Sequence, residues 1–287
     1  MNNYHKIPVS RIVDRIIDLA LSEDIGHGDI TTEPLLLDHI AGKAEIVAKE
    51  QMVVAGLEMV KLVYEKLDSG VEFNALAADG DRVDNAGTIV AELKSSLHTL
   101  LAGERVALNF LQKMCGIATH VRSYVDSLPS LSFRLTDTRK TTPGWRVLEK
   151  YAVRVGGAYN HRMGLYDGVL IKDNHISACG GIARAVEMVR SRVSHLVRIE
   201  VEAENLKEVK AALEAGADVI MLDNMDYDTM AKAVELIGGR AETEVSGGVE
   251  REQLERLRVL GVNVVSSGAL THAARFVDLS MSIAPLK

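Results

Sequence analysis

The amino-acid sequence predicts an α/β protein in which an N-terminal α+β domain precedes an incomplete parallel α/β barrel. Two observations predict the barrel. After about residue 115, short apolar runs alternate with helical segments, which implies parallel strands joined by helical crossovers. Six such units can be distinguished, which is fewer than the eight of a complete barrel. The predicted strands are 133–136, 168–171, 197–201, 219–222, 242–245 and 262–265.

The elements of the N-terminal domain follow from local patterns. Apolar residues at helical spacing indicate a helix over 9–21 with Ser10 as its N-cap. The next segments predict strands at 42–48, 71–77 and 88–93 and a helix at 56–67. A long apolar helix over 100–124 bridges the two parts of the chain. Helices between the later barrel strands are expected at 205–215, 225–237 and 251–260.

The composition is that of a globular protein, with 47% hydrophobic and 25% charged residues. A net charge of −7 without a basic tail argues against general nucleic-acid binding. Apolar runs fall short of the roughly 20 residues of a membrane span, and the N-terminus lacks a signal-peptide pattern. Only Cys115 and Cys179 occur, far apart, so we expect a cytoplasmic protein with two reduced thiols.

One stretch of this acidic chain is rich in cations. Between residues 138 and 175 lie Arg139, Lys140, Arg146, Arg154, His161, Arg162, Lys172 and His175. Positive potential focused in a cleft raises the local concentration of anions. We therefore expect a site for a small, highly charged anion; the alternative for the arginines is a set of surface ion pairs.

Polar residues follow each predicted barrel strand. They are 137–140, 172–174, Glu202, 223–224, 246–248 and 266–268. The carboxyl ends of barrel strands meet at one rim, which is where active sites of such folds are found. The last two ends lack bulky side chains and expose backbone N–H groups, which is typical of phosphate-binding loops.

These motifs closely resemble those of the quinolinate phosphoribosyltransferases, the carboxylating nicotinate-nucleotide pyrophosphorylases. The resemblance covers about residues 10–283, with small departures at Ala158, Gly168 and Ala273 that remove no functional group. A set of motifs in this order is a strong signal, although any one alone is weak. The matching segments are 23–32, 137–144, 148–152, 160–165, 170–175, 200–202, 221–224, 244–248 and 267–272.

The resemblance implies an N-terminal α/β sandwich domain (1–115, joined by the C-terminal tail 274–287) and a catalytic α/β barrel (116–273) of the type II phosphoribosyltransferase kind. It also implies a homodimer in which the N-terminal domain of one subunit closes the barrel mouth of the other, and it leaves further assembly open. The implied reaction converts quinolinate and phosphoribosyl pyrophosphate into nicotinate mononucleotide, pyrophosphate and CO2 in de novo NAD synthesis.

The resemblance also implies roles for individual residues. Two adjacent carboxylates of quinolinate suit planar guanidinium groups. The dicarboxylate pocket would be lined by Arg139, Arg162, Lys140, His161, Lys172, the backbone of Thr138 and, from the partner subunit, Arg105. Glu202 and Asp223 would lie near the ribose and hold Mg²⁺ directly or through water. The 5-phosphate would be bound by Ser246, Gly247, Gly248, Ser267, Gly268 and Ala269. The residues expected to act in catalysis are Lys140, Lys172, Glu202 and Asp223.

Several alternatives stay open at this point. His161 taken alone is as consistent with a structural role as with a functional one. Either acid, and Asp223 in particular, could cap the following helix. A molybdenum-associated paralogue of the same fold and a non-catalytic phosphosugar-binding protein are the rival functions. The intact lysines, arginines and acids of the predicted rim favour the quinolinate enzyme over both.

Overall fold

The computed structural model describes residues 10–35, 37–128, 130 and 132–286. These residues form two compact units. The first unit contains the described residues up to 123, residues 141–157 and those from 274 onward. The second contains the described residues of 124–140 and 158–273. The predicted cationic stretch is therefore divided, because 141–157 lies in the first unit.

The first unit contains four helices: α1 (Arg11–Ile25), α2 (Leu57–Leu67), most of α3 (Leu97–Val125) and α4 (Arg146–Gly156). Its strands are β1 (Ala41–Ala48), β2 (Met52–Val53), β3 (Glu72–Ala75), β4 (Arg82–Val83), β5 (Ile89–Ser96) and the C-terminal strand β12 (Leu279–Pro285). Two 3-10 turns, Glu33–Leu35 and Leu37–His39, follow α1.

An antiparallel sheet with the strand order β12-β1-β5-β3 organises this unit. Burial alternates along β1, where Ala44, Ile46 and Ala48 face the core. The C-terminal strand pairs with β1 along its length, from Gly42 opposite Pro285 to Ala48 opposite Leu279. The end of the chain is thereby a structural part of the first unit.

The helix predictions for this unit are confirmed, with shifted ends. Ser10 caps α1, because its hydroxyl accepts a hydrogen bond from Val13 N; residue 9 lies outside the described residues. The bridging helix begins at Leu97, three residues before the predicted start, because the Ser96 hydroxyl accepts from Thr99 N at 3.0 Å. Helix α4 and the strands β2, β4 and β12 were not predicted.

The second unit contains a parallel sheet of six strands. They are β6 (Arg134–Thr136), β7 (Val169–Ile171), β8 (Ile199–Ala203), β9 (Val219–Asp223), β10 (Glu242–Ser246) and β11 (Val264–Ser266). The helices are α5 (Asp173–Cys179), α6 (Ile182–Arg190), α7 (Leu206–Glu214), α8 (Tyr227–Ile237), α9 (Leu254–Leu260) after a 3-10 turn at Arg251–Gln253, and α10 (Ala269–His272). The predicted mixed α/β class and all six predicted strands are confirmed.

The strand order β6-β11-β10-β9-β8-β7 places the first strand of this unit beside the last. Within the described residues, no ladder joins β6 to β7, and the other edge of β6 makes a single bridge to Tyr159. Register puts Glu202 opposite Met221 and Asp223 opposite Ser246. Because side chains alternate along a strand, these residues and Glu200 share one face of the sheet.

No helix among the described residues is both long enough and apolar enough to cross a bilayer.

Candidate active site

A cavity of about 530 Å³ lies at the carboxyl ends of the six parallel strands. Each strand contributes to it with residues at its carboxyl end or directly after that end. The lining residues are Thr138, Arg139, Lys140, His161, Arg162, Leu170, Lys172, Glu202, Met221, Asp223, Asn224, Ser246, Gly247, Gly248, Ser266 and Gly268. The polar strand ends of the sequence thus meet around one space.

Twelve of the predicted site residues line this cavity, and three do not. Ser267 is buried, and its hydroxyl donates to Val249 O at 2.6 Å, while the neighbouring Ser266 faces the cavity. Ala269 begins α10. Arg105 lies on α3 in the first unit with its side chain 59% exposed. The roles assigned to these three residues stay predictions.

The cationic stretch divides in the same way. Five of its eight members line the cavity, whereas Arg146 and Arg154 lie on α4 of the first unit. His175 lies on α5, where its Nδ1 accepts a hydrogen bond from Lys172 N at 3.0 Å and so supports the start of that helix. Only part of the cationic stretch therefore contributes to the site that its charge predicted.

Two guanidinium groups are held near each other at one side of the cavity. Burial lowers the pKa of Arg162, and the positive charge of Arg139 lowers it further. Arg162 Nη1 donates to Gly168 O at 3.0 Å, which fixes one end of the group. Like charges brought together in this way favour an anion that can neutralise both, such as a dicarboxylate.

The lysine between these groups and the last strand is held by its backbone. Lys140 N donates to the Thr138 hydroxyl at 3.0 Å, and Lys140 O accepts from the Thr271 hydroxyl at 2.8 Å. A Cβ added to Gly268 would lie 2.7 Å from Lys140 Cδ, so the side chain passes closely over that glycine. The backbone of Lys140 and the path of its side chain are therefore constrained, and the exposed side chain lines the cavity.

A fully buried carboxylate, Asp137, ties two loops of the cavity together. It follows β6 directly, and its oxygens accept hydrogen bonds from Asn160 Nδ2 at 2.6 Å and from His161 N at 2.9 Å. The segment that contains His161 and Arg162 is irregular, so these bonds replace those that a helix or strand would provide. Sequence reasoning gave Asp137 no role, although an acid at the end of an apolar strand was a usable signal.

His161 reaches from this loop toward the interior of the sheet. Its Nδ1 accepts a hydrogen bond from Arg162 N at 2.8 Å. Its Nε2 lies 3.2 Å from Glu200 Oε2 and 3.5 Å from Glu244 Oε1. Burial lowers the pKa of His161, whereas the contacts with both carboxylates and their charges raise it above its ordinary value; the Arg162 N–H directed at Nδ1 opposes a second proton on the ring.

The distribution of protons in this cluster follows from the backbone contact. An Nδ1 that accepts from an amide has no proton of its own, so the ring proton lies on Nε2 and points toward Glu200. Burial raises the pKa of Glu200, the hydrogen bond from His161 lowers it, and the charge of the nearby Glu244 carboxylate raises it again, so that the net direction is upward. The ligand atoms of His161, Glu200 and Glu244 all lie within 4.8 Å of one another, so the cluster is compact.

Sequence reasoning missed Glu200 and Glu244 as site residues. Both are buried, with 8% and 3% of their surfaces exposed, and each has a buried Oε1 without a hydrogen-bond partner. The signal was the spacing of Glu200 and Glu202 on one strand. Acids two residues apart in a strand lie on the same face, one layer below the other.

The two predicted acidic strand ends also line the cavity. Glu202 Oε2 accepts from Lys172 Nζ at 2.5 Å, and Asp223 Oδ2 accepts from Asn224 Nδ2 at 2.6 Å. The helix-capping alternative is wrong for both acids. The N-cap of α7 is Asn205, which accepts from Glu208 N, and the N-cap of α8 is Asp226, which accepts from Thr229 N. Both carboxylates are therefore directed to the cavity.

Glycines make the loop after β10 narrow. Gly247 and Gly248 have φ angles of 94° and 60°, a region that residues with a side chain rarely adopt. A Cβ at Gly247 would overlap the side chain of Asn224, whereas one at Gly248 would meet open space. Asn224 is itself, among the described residues, the only non-glycine with a positive φ, at 52°. Backbone N–H groups in such a turn suit an anion such as phosphate.

Comparisons with known proteins match nearly the whole chain. The family model of the quinolinate phosphoribosyl transferase N-terminal domain matches residues 29–115, and that of the C-terminal domain matches residues 117–282. The probable nicotinate-nucleotide pyrophosphorylase (carboxylating) of Bacillus subtilis is 46% identical, with 94% of this chain and 92% of that protein covered. The chloroplastic nicotinate-nucleotide pyrophosphorylase (carboxylating) of Arabidopsis thaliana is 42% identical, with 93% and 82% covered.

Solved structures are similar over the same length. NadC from Streptococcus pyogenes has a TM-score of 0.91 and 41% identity, with 96% of this chain and 97% of that chain covered. The nicotinate-nucleotide pyrophosphorylase from Francisella tularensis has a TM-score of 0.90 and 37% identity, with 99% and 100% covered.

Proposed function

The chain belongs to the quinolinate phosphoribosyltransferase family, and we propose that it converts quinolinate and phosphoribosyl pyrophosphate into nicotinate mononucleotide, pyrophosphate and CO2. This reaction is a step of de novo NAD synthesis. The observation that supports it most directly is the cavity itself. It is lined by two guanidinium groups, two lysines, two acids and a glycine loop, and we assign the cationic side to one substrate and the acids with the glycine loop to the other.

The cationic side accounts for quinolinate. Its two carboxylates are adjacent on a planar ring, and the guanidinium forks of Arg139 and Arg162 match them with paired hydrogen bonds. Binding of the quinolinate dianion relieves the repulsion between these two arginines, and this relief adds to the affinity for quinolinate. Lys140 and Lys172 complete the positive field on this side.

The remaining side accounts for the phosphosugar. The turn at 246–248 and Gly268 bind the 5-phosphate through backbone N–H groups. Glu202 and Asp223 face the ribose. The substrates are thereby placed with the ring nitrogen of quinolinate directed at the anomeric carbon, and this positioning supplies much of the rate enhancement.

The chemistry requires charge stabilisation and no covalent nucleophile. As pyrophosphate leaves the anomeric carbon, negative charge grows on its oxygens and positive charge on the ribose ring. Lys140 and Lys172 stabilise the first, and the carboxylates of Glu202 and Asp223 stabilise the second. The ring nitrogen then bonds to the anomeric carbon and becomes a pyridinium. This cation stabilises the electron pair that remains on the adjacent ring carbon when CO2 departs, and that carbon then takes a proton from solvent to give nicotinate mononucleotide.

We propose that Mg²⁺ is the cofactor and that Glu202 and Asp223 hold it directly or through water. The donor set fits, since a hard cation prefers carboxylate oxygens and both acids line the cavity. When bound, the ion neutralises charge on the pyrophosphate leaving group. Asp223→Asn should raise the Mg²⁺ concentration for half-maximal rate about tenfold, as for lost ligands in general. Asp226→Asn is the matched control, because asparagine caps α8 equally well; equal effects of both variants would contradict the assignment.

We also propose a homodimer in which Arg105 reaches the cavity of the partner subunit, and a cytoplasmic location. The long exposed side chain of Arg105 suits a contact outside its own unit. Both cysteines are free thiols, as expected in a reducing compartment.

Turnover of the purified protein tests the proposed function. With quinolinate, phosphoribosyl pyrophosphate and Mg²⁺, we expect nicotinate mononucleotide and CO2 in equal amounts, and no nucleotide when nicotinate replaces quinolinate. Similar rates with both acids would contradict the role of the second carboxylate. Absence of product from protein that still binds phosphoribosyl pyrophosphate would favour a phosphosugar-binding protein.

A further inference from the structure

We propose that Glu200 and Glu244 are positioning residues for quinolinate, which act through the imidazole of His161 on the backbone of Arg162. This inference rests on the proposed function and deepens it. It differs from a direct role of His161 as a hydrogen-bond donor to substrate, because both nitrogens of its ring already have protein partners.

The first link runs through the imidazole. Arg162 N donates to His161 Nδ1 at 2.8 Å, and His161 Nε2 lies 3.2 Å from Glu200 Oε2, with Glu244 Oε1 at 3.5 Å. The ring therefore connects the peptide that begins Arg162 to two carboxylates in the interior of the parallel sheet. Glu200 and Glu244 lie on β8 and β10, whose positions are fixed by ladders on both sides.

The second link explains why Arg162 needs such support. It lies in an irregular segment without helix or strand hydrogen bonds. The segment is held at the His161 amide by Asp137 and beyond Arg162 by Asp167, whose carboxylate accepts from Met163 N and Gly164 N. The Arg162 peptide lies between these two anchors and is held by the imidazole. A shift of a guanidinium by about 1 Å is enough to weaken a bidentate contact strongly.

The free-energy cost of burying Glu200 and Glu244 distinguishes a positioning role from ordinary packing. Two buried carboxylates within reach of one imidazole are costly, because each loses hydration and they repel each other. Both have an oxygen without a hydrogen-bond partner. Replacing such a buried ionic cluster as a whole by apolar residues of similar volume is often neutral or stabilising, so the acids are better explained by what they orient than by what they stabilise.

Substitutions at Glu200 test the acceptor. Glu200→Leu removes the oxygen that accepts the hydrogen bond from His161 Nε2. Glu200→Gln keeps a neutral amide oxygen there, which is a weaker acceptor than a carboxylate. We expect the KM for quinolinate to rise about tenfold in Glu200→Leu and less in Glu200→Gln, with the KM for phosphoribosyl pyrophosphate changed by less than about twofold. Glu242→Gln, on the same strand face as Glu244 but paired with Arg198, is the matched control and should leave both KM values unchanged.

Substitutions at His161 test the link. In His161→Asn, the amide oxygen can take the place of Nδ1 and accept from Arg162 N, but the shorter side chain cannot reach Glu200. In His161→Gln, the amide can reach Glu200, but no acceptor remains at the position of Nδ1. Both variants should raise the KM for quinolinate. The KM for quinolinate of the double variant Glu200→Leu/His161→Asn should be no higher than that of His161→Asn. Once the connection through His161 is lost, removal of Glu200 has no further effect on Arg162.

The outcomes are distinguishable from a failure of the proposed function. If the wild type does not turn over quinolinate, the function is wrong. If the wild type is active and the effects of Glu200→Leu and His161→Asn multiply, the two residues act separately and the inference is wrong. An unchanged KM for quinolinate in Glu200→Leu, or equal increases in both KM values with a lower melting temperature, would also overturn it. Should Glu200→Leu fail to fold, Glu244→Gln with the same measurements decides the question, since it lowers the charge of the pair without changing its shape.

Discussion

Lys172 Nζ donates a hydrogen bond of 2.5 Å to Glu202 Oε2 and thereby joins the ends of two neighbouring strands, β7 and β8. The pair places a cation of the proposed quinolinate side beside an acid of the proposed metal side. The Lys172 side chain remains 44% exposed and lines the cavity together with Glu202. The two halves of the cavity are thus electrostatically connected.

Loss of either lysine of the cavity should abolish most of the activity without unfolding the protein. We expect Lys140→Ala and Lys172→Ala each to lower kcat/KM about 100-fold or more, because each removes a charge that stabilises the leaving pyrophosphate. The melting temperature should stay near the wild-type value for the exposed Lys140, and should fall slightly for Lys172→Ala, which leaves the buried Glu202 carboxylate without its ion-pair partner. Lys210→Ala, at an exposed helix pair with Glu214, is the control. Wild-type turnover in either cavity variant would contradict the catalytic role assigned to that lysine.

The turn after β10 allows a paired glycine test. Gly247 and Gly248 both have positive φ angles, so alanine at either position costs about 1 kcal/mol or more of backbone energy. Only at Gly247 would the new methyl group also overlap the Asn224 side chain. Gly247→Ala should therefore raise the KM for phosphoribosyl pyrophosphate about tenfold more than Gly248→Ala does. Equal effects of the two substitutions would mean that the close contact with Asn224 does not shape the turn.

Mixed dimers test whether Arg105 acts across the subunit interface. Homodimers of Arg105→Ala and of Lys140→Ala should both be nearly inactive. If Arg105 serves the partner subunit, each heterodimer of the two variants contains one intact site and one site lacking both residues. Random co-assembly should then restore about one quarter of the wild-type activity. If Arg105 serves its own subunit, mixing restores nothing.

The strand ends show how far the sequence could predict this site. All six parallel strands and the polar residues after them were visible locally, because alternating apolar runs and helical segments leave a periodic signal. Ser266 and Ser267 mark the limit of this reasoning. Adjacent residues of an extended strand point to opposite faces of the sheet. A prediction that is wrong by one residue therefore selects Ser267, whose hydroxyl is bound to Val249 O, in place of Ser266, which lines the cavity.

Other features depend on partners far away in the sequence. The C-terminal strand β12 forms because β1 offers it an edge, and Gln112 Nε2 donates to Leu279 O, 167 residues away. The positioning cluster of His161, Glu200 and Glu244 comes from a loop and two strands, so no local window contains it. Contacts of this kind become visible only when the topology is known.

Acid should loosen the C-terminal tail through Glu50. Its carboxylate accepts hydrogen bonds from the Arg275 guanidinium and from Asp278 N, and these contacts lower the pKa of Glu50 from 4.5 to about 2. A lowered pKa means that the stabilisation is fully present above pH 4.5 and is lost as the pH falls from about 4.5 to about 2. Because Arg275 is 71% exposed, solvent screening limits the contribution to about 1 kcal/mol at most.

Glu50→Gln makes this pH dependence measurable. The variant should unfold at lower urea concentration than the wild type at pH 7, and the difference should shrink toward zero as the pH approaches 2, because the wild-type carboxylate is then protonated as well. Glu72→Gln, which removes an exposed ion pair with Lys94 in the same unit, should change stability little at either pH. A difference between Glu50→Gln and the wild type that stays constant from pH 7 to pH 2 would show that the charge of Glu50 does not hold the tail, and its stabilising effect would then have to come from packing alone.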